Sequence, residues 1–314
     1  MQKTKFKFLL SAFFVALVMT SCASAPKQAA ATLTKTESRA FWRIDGTDKN
    51  GNPSTVYIQG TFHLGDERIF PLSEEVQQAF LNADRYAGEL STQSYADLEN
   101  QAAILYAPNK DGKLISDYMN DEENAYLKTV FLQQYDSINA LDPWIISNTL
   151  TTLIYQQTGL TSEFGLDNSF TDNLKEMNRT WDGLDELSVQ LEVLTFGDYD
   201  EQITNLKDTI QTLTNAEESY KLFTETLELY ENYVNDDMQS FEKSFTDSTK
   251  LTIKSDKSYK KYYQKLFTDR NKEWACDITN YLNEGGTTFI FAGCGHWVGK
   301  DSTFAFLKKM KTIN

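Results

Sequence analysis

Histidine is almost missing from this chain: there are two in 314 residues. Any chemistry that needs imidazole has only His63 and His296 to draw on. Cysteine is nearly as scarce, with three in all, at Cys22, Cys276 and Cys294. Basic residues are outnumbered, 30 against 45 acids, for a net charge of −15. So acidic a chain argues against nucleic acid as a partner, because phosphate backbones are held by Lys and Arg. No repeat at solenoid period is visible. The one long apolar run, Phe8 to Met19, is too short to span a bilayer as a mature helix. What remains is ample material for a core: 40% of residues are hydrophobic and 13% aromatic. Disorder is therefore not the default for the body of the chain, and the length suits one large domain or two small ones.

The apolar run belongs to a targeting segment. In "MQKTKFKFLLSAFFVALVMTSC", Lys3, Lys5 and Lys7 form a positive start and Met-Thr-Ser-Cys closes it. The segment resembles a bacterial lipoprotein signal, which implies cleavage of residues 1–21 and acylation of Cys22. An ordinary secretory signal with an incidental cysteine is the other reading. Residues 22–38, rich in small side chains, are expected to be a flexible tether, and residues 39–314 a folded domain. Without the three leader lysines, 27 basic residues face 45 acids and the charge becomes −18. That disfavours electrostatic docking on anionic lipid and leaves anchoring to the acyl chains. In an exported protein Cys276 and Cys294 could be bridged or free; sequence does not decide.

"SRAFWRIDGTDKNGN", residues 38–52, reads as a hairpin from its aromatic and β-branched residues and its Asp-Gly and Asn-Gly turns. "STVYIQG" is a strand ending at Gly60. Pro71, Ser73, Glu74 and Glu75 mark a helix start, with Val76, Phe80 and Leu81 as its stripe. Tyr86 to Leu90 reads as a short strand carrying Glu89. From Tyr95 to Asn280 the apolar spacing is mostly helical, interrupted by a strand-like "RTWDGLD". The strand "TTFIFAG" and the helix "STFAFLKKMK" close the chain. Strands at both ends with helices between predict an α/β (α+β) fold. Its central sheet would carry the two histidine strands side by side, with a large helical insertion between them.

Both histidines occupy one local pattern. Gly60-Thr-Phe-His63 follows "TVYIQ", and Gly293-Cys-Gly-His296 follows "TTFIFA". Ligands bind at the carboxyl ends of strands in α/β sheets, so neighbouring strands would bring the histidines together. Imidazole is the commonest nitrogen ligand for a transition metal, and glycine lets the backbone turn sharply before it. A catalytic metal usually has three protein ligands. With no third histidine, the missing one should be a carboxylate, and Glu89 is best placed. Cys294 is a candidate nucleophile, but neighbouring residues at a strand end point apart, so a packing role under the sheet fits it better.

The paired Gly-x-x-His motifs resemble the TraB/GumN family, to which the Tiki ectodomains are related. The likeness extends to Ala83-Asp84 and Glu89, to Pro143-Trp144, to Gly165-Leu-Asp167, and to Arg270-Asn271. It runs in family order from about Ala40 to the end. Departures are Asp185, where the family more often shows glutamate, and Cys294 within the closing block. The resemblance implies an α/β fold with the two motif strands adjacent, and divalent-metal-dependent hydrolysis, with protease activity in the Tiki branch. Carried over by position, His63, Glu89 and His296 become the metal or catalytic set, with Mn, Co or Zn as the metal. Arg270 and Asn271 become supporting residues that could polarise a substrate carbonyl, or could simply tie a helix to the sheet.

Three functional expectations follow. The first is an exported, lipid-anchored hydrolase of the bacterial cell envelope acting on a peptide or protein, with Glu89 as third ligand or general base. The second is a non-enzymatic lipoprotein binding a peptide or protein in the same cleft. The third is a cysteine hydrolase using Cys294 with His63 as base.

Overall fold

A computed structural model describes residues 30–255 and 257–314. The leader, Cys22 and the start of the expected tether lie outside the described residues.

Six strands form one mixed sheet in the order β1-β2-β3-β6-β4-β5. They are β1 (Thr32–Lys35), β2 (Phe41–Thr47), β3 (Pro53–Thr61), β4 (Arg85–Leu90), β5 (Asp182–Asp185) and β6 (Gly286–Gly293). The expected hairpin is the antiparallel pair β2/β3, turned at Gly51 with φ of 86°. β3, β6, β4 and β5 then run parallel. The two Gly-x-x-His strands are therefore adjacent and parallel, with Gly60 opposite Ala292 and Thr61 opposite Gly293. Being central, β3 and β6 are buried along nearly their whole length, as parallel strands covered on both faces must be.

One expectation is corrected here. Residues 32–35 are not tether: they form β1 at the sheet edge, paired antiparallel with β2. Ala31 also exchanges backbone hydrogen bonds with Thr312 and Asn314. Small-residue composition did not announce this, because the strand is held by backbone partners remote in sequence.

Phe289 and Phe291 of β6 meet Phe80 and Phe170 at ring separations of 5.0–5.4 Å among the four. The helices Glu74–Leu81 and Leu166–Glu176 thus cover one face of the sheet. The helix Arg270–Glu284 covers the other, where Leu282 sits against Gly46. Between β4 and the helix Arg270–Glu284 the chain is mostly helical, as its spacing predicts. Part of this insertion has its own cluster, which includes Leu127, Phe131, Ile146, Leu150, Leu206 and Ile210. No helix among the described residues is long and apolar enough to cross a membrane.

The junction between β4 and β6 positions the site. The Asp84 carboxylate accepts the Thr287 N–H at 2.8 Å. Arg85 donates to the Gly285 carbonyl at 2.6 Å and to Glu284 at 2.8 Å. With Ala87 registered on Ile290, Glu89 reaches the end of β6 beside Gly293.

Candidate functional site

His63 and His296 each leave the carboxyl end of a central strand, and each ring is fixed through Nδ1. His63 Nδ1 lies 2.9 Å from Asp167 Oδ2. Asp167 sits in the first turn of the helix Leu166–Glu176, and its other oxygen accepts Thr61 Oγ1 at 2.6 Å. The chain approaches closely here: a Cβ on Gly165 would collide with the His63 carbonyl, so glycine is required. Leu166 N–H also donates to the Phe62 carbonyl at 3.1 Å. His296 Nδ1 lies 2.6 Å from Asn271 Oδ1. The Asn271 amide donates from Nδ2 to the Asp301 carbonyl at 2.8 Å, so its oxygen must face the imidazole. His296 therefore carries its proton on Nδ1 and presents Nε2 as a lone pair. Asp167, which can only accept when ionised, imposes Nδ1–H on His63 in the same way.

The third expected residue joins them. Glu89 Oε1 accepts the Gly293 N–H at 2.9 Å. A Cβ placed on Gly293 would stand 3.1 Å from Glu89 Oε1, 3.6 Å from His296 Cδ2 and 4.0 Å from His63 Nε2. His63, Glu89 and His296 therefore converge on one small space, kept open because residue 293 has no side chain.

The protonation states follow from the partners. The Asp167 carboxylate beside His63 pulls its pKa up to about 9, against desolvation. The ring is 70% exposed, so water screens part of that pull. His296 is buried between Trp274, at 4.2 Å, and Phe267, at 4.9 Å. Burial, and then the Arg270 charge, push it down to about 3, so it is neutral. Burial opposes ionisation of Glu89, but the Arg270 charge at 2.6 Å, the protonated His63 and the Gly293 N–H outweigh it and hold the carboxyl well below its usual range.

Arg270 and Asn271 lie at this cleft, but their polar groups are already engaged. Arg270, with 3% of its side chain exposed, bonds Glu89 at 2.6 Å, Asp185 at 2.7 Å and the Leu266 carbonyl at 3.0 Å. Asn271 is spent on His296 and Asp301. These two residues orient Glu89 and His296 rather than reaching for a substrate carbonyl. Asp185 also accepts from Trp274 Nε1 at 2.8 Å and from Gln190 at 2.9 Å, and Gln190 donates to Glu89 at 3.2 Å. Sequence reasoning gave no site role to Asp167, Asp185 or Gln190, although Asp167 and Asp185 stand in segments that resemble the family's.

The readings of Cys294 are decided. Cys294 is a free thiol, so Cys276 and Cys294 do not bridge. It is 2% exposed under Gly60 and Trp42, and burial pushes its thiol up. A thiol kept neutral beneath the sheet is no nucleophile.

A model of the TraB/PrgY/gumN family matches residues 40–313. The chain belongs to this family. A protein of Treponema pallidum (strain Nichols), described only as uncharacterized, is 24% identical over 304 residues, covering 94% of this chain and 88% of its own length. No solved structure matches.

Among the described residues, no group of three or more His, Cys, Asp and Glu side chains stands at metal-holding spacing. In kind, the residues around Gly293 fit a cation. They are a neutral imidazole with an Nε2 lone pair at His296, a second imidazole at His63 that would have to lose a proton to offer its own, each anchored through Nδ1, and one ionised carboxylate, in kind the donors of a two-histidine, one-glutamate site.

Proposed function

We propose that this TraB/PrgY/gumN member is an exported, lipid-anchored peptidase of the bacterial envelope whose reaction centre is the space at Gly293. The observation that carries the reading is the convergence of His63 Nε2, Glu89 Oε1 and the His296 ring on that point. His63, His296 and Glu89 would hold a divalent Mn, Co or Zn. Such a cation lowers the pKa of bound water and polarises a carbonyl.

The remaining residues preorganise that set. Asp167 keeps the proton of His63 on Nδ1, and Asn271 does the same for His296. Arg270 keeps Glu89 ionised, and Gln190 steadies it. Glu89 acts as ligand rather than base, because a carboxyl held so low binds protons poorly. His63 would have to lose its Nε2 proton, keeping the one on Nδ1, before Nε2 could serve as a ligand, so metal uptake would compete with protonation and strengthen as pH rises.

The test is elemental analysis and peptide turnover on protein lacking residues 1–22, as wild type, His63→Ala and His296→Ala. Stoichiometric metal and turnover in wild type, with both lost in the variants, are expected. Chelated protein with wild-type turnover would sink the metal. Absent metal, absent turnover and no melting shift with Mn or Zn would favour a lipoprotein that only binds peptides in this cleft.

A further inference from the structure

One helical stretch leading to the rings around His296 differs in charge from the rest of the chain. Residues 250–265 hold six lysines and a single acid, Asp256, in a protein of net charge −15. Lys250, Lys254, Lys257, Lys261 and Lys265 recur at helical spacing. Two of them are paired, Lys250 with Asp247 at 3.2 Å and Lys265 with Glu192 at 2.6 Å. Lys254, Lys260 and Lys261 are exposed and have no acidic partner among the described residues.

Aromatic rings adjoin this basic stretch and lead to the reaction centre. Tyr263, half-buried, contacts Phe267 at 5.2 Å; Phe267 contacts Phe245 at 5.3 Å and His296 at 4.9 Å. Phe245 and Phe267 close over Gly295, where a Cβ would lie 3.1 Å from one ring and 3.2 Å from the other. The backbone widens to a π-helix over Gln264–Asp269, directly before Arg270. Such turns are often found at functional sites.

We propose that this basic stretch and its adjoining rings receive the substrate: a peptide with an aromatic side chain against Phe245, Tyr263 and Phe267 and acidic residues along Lys254, Lys260 and Lys261. It rests on the peptidase reading for the word substrate, but not for the binding. Continuity with the His296 ring favours a peptide over an anionic lipid surface.

The test is fluorescence anisotropy with labelled peptides containing one Phe flanked by Glu, the same with Lys, and the Glu peptide with Ala for Phe. At low ionic strength the Phe-Glu peptide should bind roughly tenfold tighter than its Lys counterpart, weakening with salt. The exposed triple variant K254E/K260E/K261E should lose that preference. Tyr263→Ala should lose the preference for Phe over Ala while keeping the preference for Glu. Equal binding of the Glu and Lys peptides, or a preference that survives the triple variant, overturns the proposal. So does a triple variant that loses binding to phosphatidylglycerol vesicles while peptide preference stays intact. Peptides recovered uncut by mass spectrometry, with the preference present, would instead defeat the peptidase reading and leave this one standing.

Discussion

Arg270→Met is the sharpest probe of how the site is held. Arg270 is nearly sealed from solvent and stands between two carboxylates, 2.6 Å from Glu89 and 2.7 Å from Asp185, with its guanidinium over Trp274 at 5.0 Å. Methionine keeps much of the stem volume and removes the charge. Two buried carboxylates are then left facing one another, and breaking such a pair costs about 3–5 kcal/mol. For a chain of this length, at about 2 °C per kcal/mol, melting should fall by about 6–10 °C near neutral pH. The pH dependence gives a second signature. In wild type Glu89 is held below its ordinary value. Its contribution is therefore present above the unfolded carboxyl pKa and lost only as pH falls through the lower folded value. In the variant burial acts without its counter-charge, the folded pKa rises, and protonation relieves the site as pH drops. The gap between variant and wild type should narrow from pH 8 to pH 5. Scanning calorimetry across that range reads both effects. A variant that melts with wild type near pH 7, or a gap that holds constant on acidification, refutes the assignment of Arg270 as the counter-charge.

Asp167→Asn should lower the titration midpoint of His63, read by NMR on chelated protein, from about 9 toward the ordinary histidine value of about 6.5. Because that pKa is raised, the pair stabilises fully below the unfolded histidine value and fades as pH rises through about 9, so the variant's deficit should shrink between about pH 6 and about pH 10; an unmoved midpoint removes Asp167 as the cause. Gly293→Ala is tolerable to the backbone, whose φ is −48°, yet its methyl would stand 3.1 Å from Glu89 Oε1 and crowd the proposed centre. Turnover should fall at least about tenfold with melting little changed, and a fully active variant would put the chemistry elsewhere. Native protein treated with iodoacetamide should remain unmodified at Cys294 and keep its activity, since that thiol is buried and its pKa raised; rapid labelling seen by mass spectrometry would contradict the burial.

The parts of this site that sequence revealed are the ones carried by local pattern. β3 and β6 announce themselves as apolar runs closed by Gly-x-x-His, and their parallel adjacency follows from α/β topology. Glu89 was placed because a short strand delivered it. The orienting residues had a family likeness at Asp167, Arg270 and Asn271, but nothing that named what they touch. Asp167 reaches His63 across 104 positions and Arg270 reaches Glu89 across 181; among 45 acids nothing local distinguishes the ones that matter. The same blindness explains β1, whose pairing depends on β2 and on backbone at Thr312 and Asn314. It also explains why sequence left Arg270 and Asn271 open between a substrate role and a structural tie: only the folded contacts reveal that their hydrogen bonds go to Glu89, Asp185 and His296.

Whether Glu89 is ligand or base was open from sequence, and in the proposed centre its surroundings favour the ligand. A base needs a lone pair that gains by taking a proton near the working pH. Glu89 has one oxygen on the Gly293 N–H and the other on Arg270 and Gln190, every contact favouring the charged form. His296, pushed down to about 3, is hardly a better base, and His63, pulled up to about 9, already holds its proton at neutral pH. No side chain of the three is matched to abstracting a proton near pH 7. The arrangement instead holds an ionised carboxylate and a neutral imidazole, with a second imidazole that a bound cation would have to meet deprotonated. In the proposed centre, that arrangement would suit Glu89 to holding positive charge rather than to taking up a proton.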